Sequence, residues 1–463
     1  MMKGYLTVFL SISLSLLTGF ILLLTACAIR NGEKIRFECA SDTAMNAVLS
    51  EYGIHLFERY ELLYVDASYL EEAPAIEKVQ ERLSFYMEQN TVSVMQKRNA
   101  PWGQLTPLSV DILSYETAAA NRGASMHQQA VSWVRDTGVT RKESDVVNVK
   151  SQISSLDEAD PFGAWNGIME QLAGMELPLI LNEKGEWEEV PLSNPADWVY
   201  GLAENDAIYL AEADMGQVSP ISVDLGRYIS HRKIVNTAAS NRSYQQDERA
   251  FLTYLFEKMG CYGNEREGSL LCCQLEYLAE GKDSDIANLR AVTKRILRWR
   301  FADNVRLALS DGGLQSEAIA AANNLQAVTL KKEFEMPVAE SILYACAFLE
   351  TVADLRTIYA GGSVPLVKSS HQMSVEKVLD GILYRADGGE GFTYGQYVAG
   401  MLLLLGEERL NLRAMDVMEM DIRLQNGNEG FCMDWCIESF EALITAKGKA
   451  AGTYRISRRY GYF

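Results

Sequence analysis

The stretch YLTVFLSISLSLLTGFILLLTACAI, Tyr5 to Ile29, decides how the rest of the chain is read. It is 25 residues long and holds no charged side chain. About 20 apolar residues suffice for a helix to span the hydrocarbon core of a bilayer. A core helix apolar on every face is the alternative, but the stretch stands behind a four-residue start containing Lys3, the place of an anchor or a signal. Lys3 and the amino terminus on one side oppose Arg30, Lys34 and Arg36 on the other, against the bias that keeps cations in the cytoplasm. A short head before a very long body normally acts as a signal anchor with the body exported. The expected topology is a single pass through the cell membrane. Residues 1–4 are cytoplasmic, residues 5–29 form a transmembrane helix in contact with lipid, and residues 30–463 are extracytoplasmic.

Three fates of this segment compete. Leu24, Thr25, Ala26 and Cys27 look like the lipobox of bacterial lipoproteins, cut before Cys27 and anchored by lipid on its sulfur, although Ala28, Ile29 and Arg30 follow instead of a polar tether. Cleavage at the small residues Thr25 and Ala26, with simple secretion, is the second. Retention is the third, and the next residues favour it. Phe37, Ala40, Ala44, Met45, Val48, Tyr52 and Leu56 recur at helical spacing, with Glu38, Asp42, Asn46 and Glu51 on other faces. Only Asn31 and Gly32 stand in the way of one long helix, apolar all round in its first half and amphipathic in its second. That is the architecture of a pilin-like subunit, whose first half sits in lipid or a filament core and whose second half packs on a globular head.

The run IRFECASDTA, Ile35 to Ala44, resembles the segment after the membrane helix in TadE and TadG-like proteins of Flp (Tad) pilus loci. Lys3 and Gly4 followed by Thr7, Val8, Phe9 and Leu10 resemble the start of Gram-positive pseudopilin-like proteins of unknown function found with such loci. Further stretches similar to that group are YVDASY (64–69), QAV (129–131), SHR (230–232), LEYLAEGKDSDIANL (275–289), VADLRTIYAGGSVPLVKS (352–369) and GFTYGQYVAGMLLLL (391–405). The resemblance implies an envelope component without catalysis, whose partners are other envelope or pilus-locus proteins. Prepilin-type cleavage between Gly4 and Tyr5 would put Phe9 where such subunits carry Glu, so an uncut accessory subunit fits these residues better than a major filament subunit.

The rest reads as a packed body. Hydrophobic residues at 48% and charged residues at 23% exclude a long disordered chain. A net charge of −19 repels phosphate and argues against nucleic-acid binding. Helical stripes over 246–262, 289–309, 337–359 and 394–424 predict a helical bundle. Alternation over Glu61–Tyr69 and Trp435–Tyr462 predicts a small antiparallel sheet of sequence-distant strands. The expected fold is α+β and helix-rich: an amphipathic helix and first strand region over 30–90, a polar, mobile segment or subdomain boundary over 91–160, and a helix-rich body ending in strands over 161–463.

No catalytic, cofactor-binding or metal-ligating residue is expected. The histidines His55, His127, His231 and His371 are scattered. The run from Asp387 to Gly391 lacks the ligand series of a calcium loop, and Gly281 with Lys282 suits a turn before a helix cap. Cys432 and Cys436 read as two positions on one face of a strand, too far apart for an easy bridge. Two rival functions remain beside the pilus component. One is a lipoprotein or anchored receptor for a small molecule or polysaccharide, with lipid on Cys27; the other is an envelope enzyme.

Overall fold

No proline occurs before Pro74 and the first 49 residues contain few helix breakers, so nothing local stops a helix once it starts. In the computed structural model, which describes residues 2–71, 73–91, 105–216, 218–229, 247–386, 389–448 and 452–462, α1 (Met2–Leu49) is unbroken over 48 residues. At 1.5 Å per residue it is about 72 Å long. Neither Asn31 nor Gly32 interrupts it; a lone exposed glycine costs only about 1 kcal/mol, which the turns on both sides outweigh through cooperativity. From Gly4 to Ala28 every residue is exposed, whereas Glu33, Phe37, Ala40, Ala44, Met45 and Val48 are buried on one face. The helix ends at Leu49, short of Tyr52 and Leu56: the chain turns, and α2 (Ile54–Tyr60) carries Leu56 separately.

The fold is α+β with helix in excess, and the chain divides into two compact units. The first comprises Met1–Trp133, Gly226–Gln246 and Ala414–Phe463; the second comprises Val134–Leu225 and Asp247–Arg413. The described strands are β1 (Val65–Asp66), β2 (Leu105–Thr117), β3 (Leu179–Leu181), β4 (Trp187–Glu189), β5 (Cys436–Gly448) and β6 (Gly452–Gly461).

In the first unit β5 is the central strand. It pairs antiparallel with β2 along one edge, from Thr117↔Ile437 to Leu105↔Gly448, and along the other with β1 and then β6, from Ser439↔Gly461 to Gly448↔Gly452. The period-2 alternation turns Phe440, Ala442, Ile444 and Ala446 onto the face covered by α1 and by α3 (Ile76–Thr91), where they meet Phe37, Met45, Val79 and Leu83 in one core. Thus the second half of α1 lies against a sheet built largely from the carboxyl-terminal residues.

In the second unit the helix Glu335–Tyr359 is central, packed by Asp285–Ser310, Gly312–Asn323 and Pro161–Gly174. β3 and β4 form a separate two-stranded hairpin.

Several expectations change. The stripe over 394–424 is two helices, Tyr394–Leu405 and Glu407–Arg423, because Gly406 at φ +86° leaves the helical region. Of Glu61–Tyr69 only Val65 and Asp66 pair as strand, and Met433–Trp435 is a 3-10 turn, so the terminal strand begins at Cys436. The stretch 91–160 contains β2, the helices Ala120–Thr137 and Lys150–Glu158, and a 3-10 helix over Lys142–Val149. Several of its polar residues, among them Glu116, Ser125, Gln129 and Ser144, are buried within those elements. The stretch 161–463 is not one body, since 414–463 belongs with the amino-terminal unit.

Candidate functional site

The most distinctive site is the bare half of α1. Its hydroxyls bond back to the helix's own carbonyls: Ser11 to Val8 (2.9 Å), Thr18 to Leu14 (2.9 Å) and Thr25 to Ile21 (2.8 Å). No side chain of Gly4–Ile29 carries charge, so this half presents mostly hydrocarbon, and the hydroxyls of Ser11, Thr18 and Thr25 are satisfied within the helix. The helix is long and apolar enough to cross a membrane, in the position of an anchor or a signal sequence.

Gly4, Tyr5 and Cys27, the residues where processing was expected, lie on this half. Gly4 has open space around it, Tyr5 is 79% exposed, and Cys27 is an exposed free thiol six residues before Glu33, the first buried residue of the helix.

Where α1 enters the head, the tip of the β5–β6 hairpin meets it. Tyr454 donates its hydroxyl toward the Arg30 carbonyl (3.2 Å) and the Glu33 carboxylate (3.1 Å). Gly448 lies so close to Glu33 that a Cβ there would be 2.4 Å from Oε2. Arg36 donates to the Thr91 carbonyl at the end of α3 (3.4 Å). Sequence reasoning missed this junction: Tyr454 and Arg30 are 424 positions apart, and no periodicity reports such a pairing.

Three of the sequence stretches quoted above hold buried polar groups. In YVDASY, Asp66 accepts from the Ser68 amide (2.8 Å) and hydroxyl (2.6 Å), and Tyr64 shares a hydrogen bond with Ser125 (2.9 Å). Burial, only partly offset by Ser68, holds the Asp66 carboxyl above its ordinary pKa. Beside it is a groove of about 400 Å³ lined by Tyr52, Ile54, Leu56, Asp66, Leu70 and Phe431. Tyr69 and Leu70 hold left-handed backbone there (φ +49° and +66°), a strained arrangement for residues with side chains. Burial alone would raise Glu51 at the rim, but the Arg82 and Tyr86 hydrogen bonds outweigh it and hold the carboxyl below its usual range.

In VADLRTIYAGGSVPLVKS, a buried charge network ties the segment after the helix Glu335–Tyr359 to the bundle. Fully buried Arg300 donates to Asp354 (3.1 Å), Asp303 (3.1 Å) and the carbonyls of Pro365 and Leu366 (3.0 and 2.8 Å). Lys368 stands 2.6 Å from both Glu350 and Asp354, and Tyr384 donates to Glu350. Every cation here has carboxylates against it, the condition for burying charge. A cavity of about 280 Å³ adjoins Glu350, Lys368 and His371.

In LEYLAEGKDSDIANL, Glu276 is fully buried and accepts from the Tyr394 hydroxyl (2.7 Å) and the Tyr262 amide (2.8 Å) with one oxygen, while Oε2 has no partner. Burial pushes this carboxyl up to about 7. Gly281 takes the left-handed cap of its helix (φ +68°), as the turn reading required.

Among the described residues no three His, Cys, Asp or Glu side chains gather as for a metal ion. His55 lies by Glu58 (3.7 Å) and His371 by Asp311 (3.0 Å), while His127 is buried. His231 with its SHR motif, and Asp387 and Gly388, lie outside the described residues. Cys432 and Cys436 are buried free thiols flanking the 3-10 turn, and the Cys436 sulfur points at the Cys432 carbonyl (3.6 Å).

No curated protein and no solved structure matches the chain. Residues 185–448, from the turn of the β3–β4 hairpin to the end of β5, match a family of unknown function, DUF5702. That match covers more than half of the sequence, and the chain belongs to the DUF5702 family.

Proposed function

We propose that this protein is a membrane-anchored, pseudopilin-like accessory component of a Tad/Flp-type pilus or secretion apparatus, without catalysis, which holds its head outside the cytoplasm. One observation carries the reading: a single helix is bare and apolar over Gly4–Ala28 and packed against an antiparallel sheet over Glu33–Leu49. Such a helix couples a head rigidly to lipid or to a filament core, because no hinge separates its halves. The sequence resemblance supplies the pilus setting.

Cys39 gives a natural test, since it is exposed on α1 twelve residues past Cys27, while five of the other six cysteines are buried. A membrane-impermeant maleimide should label Cys39 in intact cells, and deletion of the protein should abolish piliation. Labelling only after lysis, or normal filaments in a clean deletion, would count decisively against the proposal.

The second reading, an anchored receptor with lipid on Cys27, is favoured by the 400 Å³ groove. The intact mass of the amino-terminal peptide separates the readings. A peptide retaining Lys3 and Gly4 means a permanent anchor, one starting at Tyr5 means prepilin-type processing, and a lipidated Cys27 means the lipoprotein.

A further inference from the structure

We infer that the end of the head from which the bare helix emerges is a basic collar that binds the phosphate headgroups of anionic phospholipids. The inference rests on the membrane-anchored reading of α1.

The chain has 62 acidic against 43 basic side chains, so a cluster of cations runs against its overall character. Yet five cations meet at this end from two segments more than 400 residues apart. Arg30, Lys34 and Arg36 come from α1, and Lys447 and Arg455 flank the residues of the β5–β6 hairpin that touch it. The hydrogen bonds of Tyr454 to Arg30 and Glu33, and the approach of Gly448 to Glu33, hold the hairpin tip against the helix. Lys447 precedes Gly448, and Arg455 follows Tyr454 on the strand face turned away from the core, opposite Thr445. Both are exposed, as are Arg30 and Lys34.

The acids at this end do not cancel them. Glu33 is 1% exposed and engaged with Tyr454. Lys34 has Glu38 one turn on at 4.0 Å, an exposed pair of the kind worth a fraction of a kcal/mol. Glu88 stands exposed in the last turn of α3. Among the described residues Arg30, Lys447 and Arg455 have no carboxylate partner. Solvated surface cations are the ordinary explanation for such groups, but two features favour a specific surface. Arg30 follows the apolar span directly, at headgroup depth for a helix that fills the hydrocarbon with residues 5–29, and its stem can lie along apolar surface while the guanidinium reaches phosphate. Moreover, cations beside an exported flank oppose the topological bias, and headgroup contact offsets that disadvantage.

Each cation near an anionic leaflet contributes about fivefold in affinity at low salt. The test uses the full chain, inserted into vesicles that mix phosphatidylcholine with phosphatidylglycerol and re-extracted in mild detergent, with co-purifying lipids counted by native mass spectrometry. The expected result is enrichment of phosphatidylglycerol over the input, weakened by salt. K447Q/R455Q and, separately, R30Q/K34Q should each weaken phosphatidylglycerol binding by about 25-fold with unchanged near-ultraviolet circular dichroism. Lipids retained in input proportions, or variants that keep the wild-type enrichment, overturn the collar while leaving the anchor standing. Release of the chain from vesicles by alkaline carbonate overturns the anchor itself, and with it the collar.

Discussion

Among the described residues two helices are long and apolar enough to cross a membrane: α1 and the helix of the second unit that ends at Tyr359. They are opposites in placement. None of the apolar window of α1 is buried, against 83% of the window of the other helix. Mean hydropathy separates them, 2.3 against 1.3, and charge does so as well. The inner helix carries Glu350 and Asp354, which are expensive in lipid but here face Lys368 and Arg300. The bare half of α1 carries no charge and binds the hydroxyls of Ser11, Thr18 and Thr25 back to its own backbone. An apolar helix belongs to a core when its few polar groups need partners from elsewhere in the fold, and to a membrane when they need none.

The largest effect should come from breaking the partners of the inner helix. Asp354→Ala leaves Arg300 and Lys368 buried with one carboxylate fewer, and removing one member of a buried ion pair costs about 3–5 kcal/mol. Urea unfolding of the full chain in detergent reads this directly, and a loss under about 1 kcal/mol would mean that the charges do not hold the helix in place. The reciprocal change is Leu16→Arg, where the side chain is 71% exposed. It should leave the melting temperature of the head unchanged while costing about 3 kcal/mol in membrane insertion, measured by carbonate resistance. A destabilised head would instead show that residues 4–28 touch it.

The smallest expected effect concerns Glu276, whose charge bears on Tyr359 at the end of the inner helix. A carboxyl raised by burial from 4.5 to about 7 holds its proton more tightly in the folded state. Its stabilising contribution is full below pH 4.5 and is lost as pH rises to about 7. Across that window stability should fall by something on the order of 3 kcal/mol, less what the surrounding structure recovers by relaxing. Glu276→Gln removes the titration, and its melting temperature should vary less between pH 5 and pH 8 than that of the wild type. An unchanged pH profile would place the titrating group elsewhere.

Elements governed by nearby residues were the most legible. The helices beginning at Glu248, Asp285 and Glu335 lie where the apolar residues recur at helical spacing, because that spacing brings them together along the helix. β2 was hidden because bulges at Leu108 and Leu113, both exposed, break its alternation. Gly406 divided a continuous stripe in two, since a stripe reports a face and not whether the backbone stays helical along it. For the site, Gly4, Tyr5 and Cys27 lie on the exposed half of α1, and the junction of Arg30 and Glu33 with Tyr454 leaves no trace in the order of residues.

The sequence by itself determined the apolar span, the helix that continues from it and the α+β, helix-rich class, because these follow from transfer free energies and local periodicity. Only the tertiary structure decided that β2 lies beside β5 in the sheet, that the charges near residue 354 neutralise one another in a core, and that Tyr454 near the carboxyl end meets Arg30 and Glu33 of α1. Long-range pairing is set by which surfaces exclude water together, and that is a property of the folded chain.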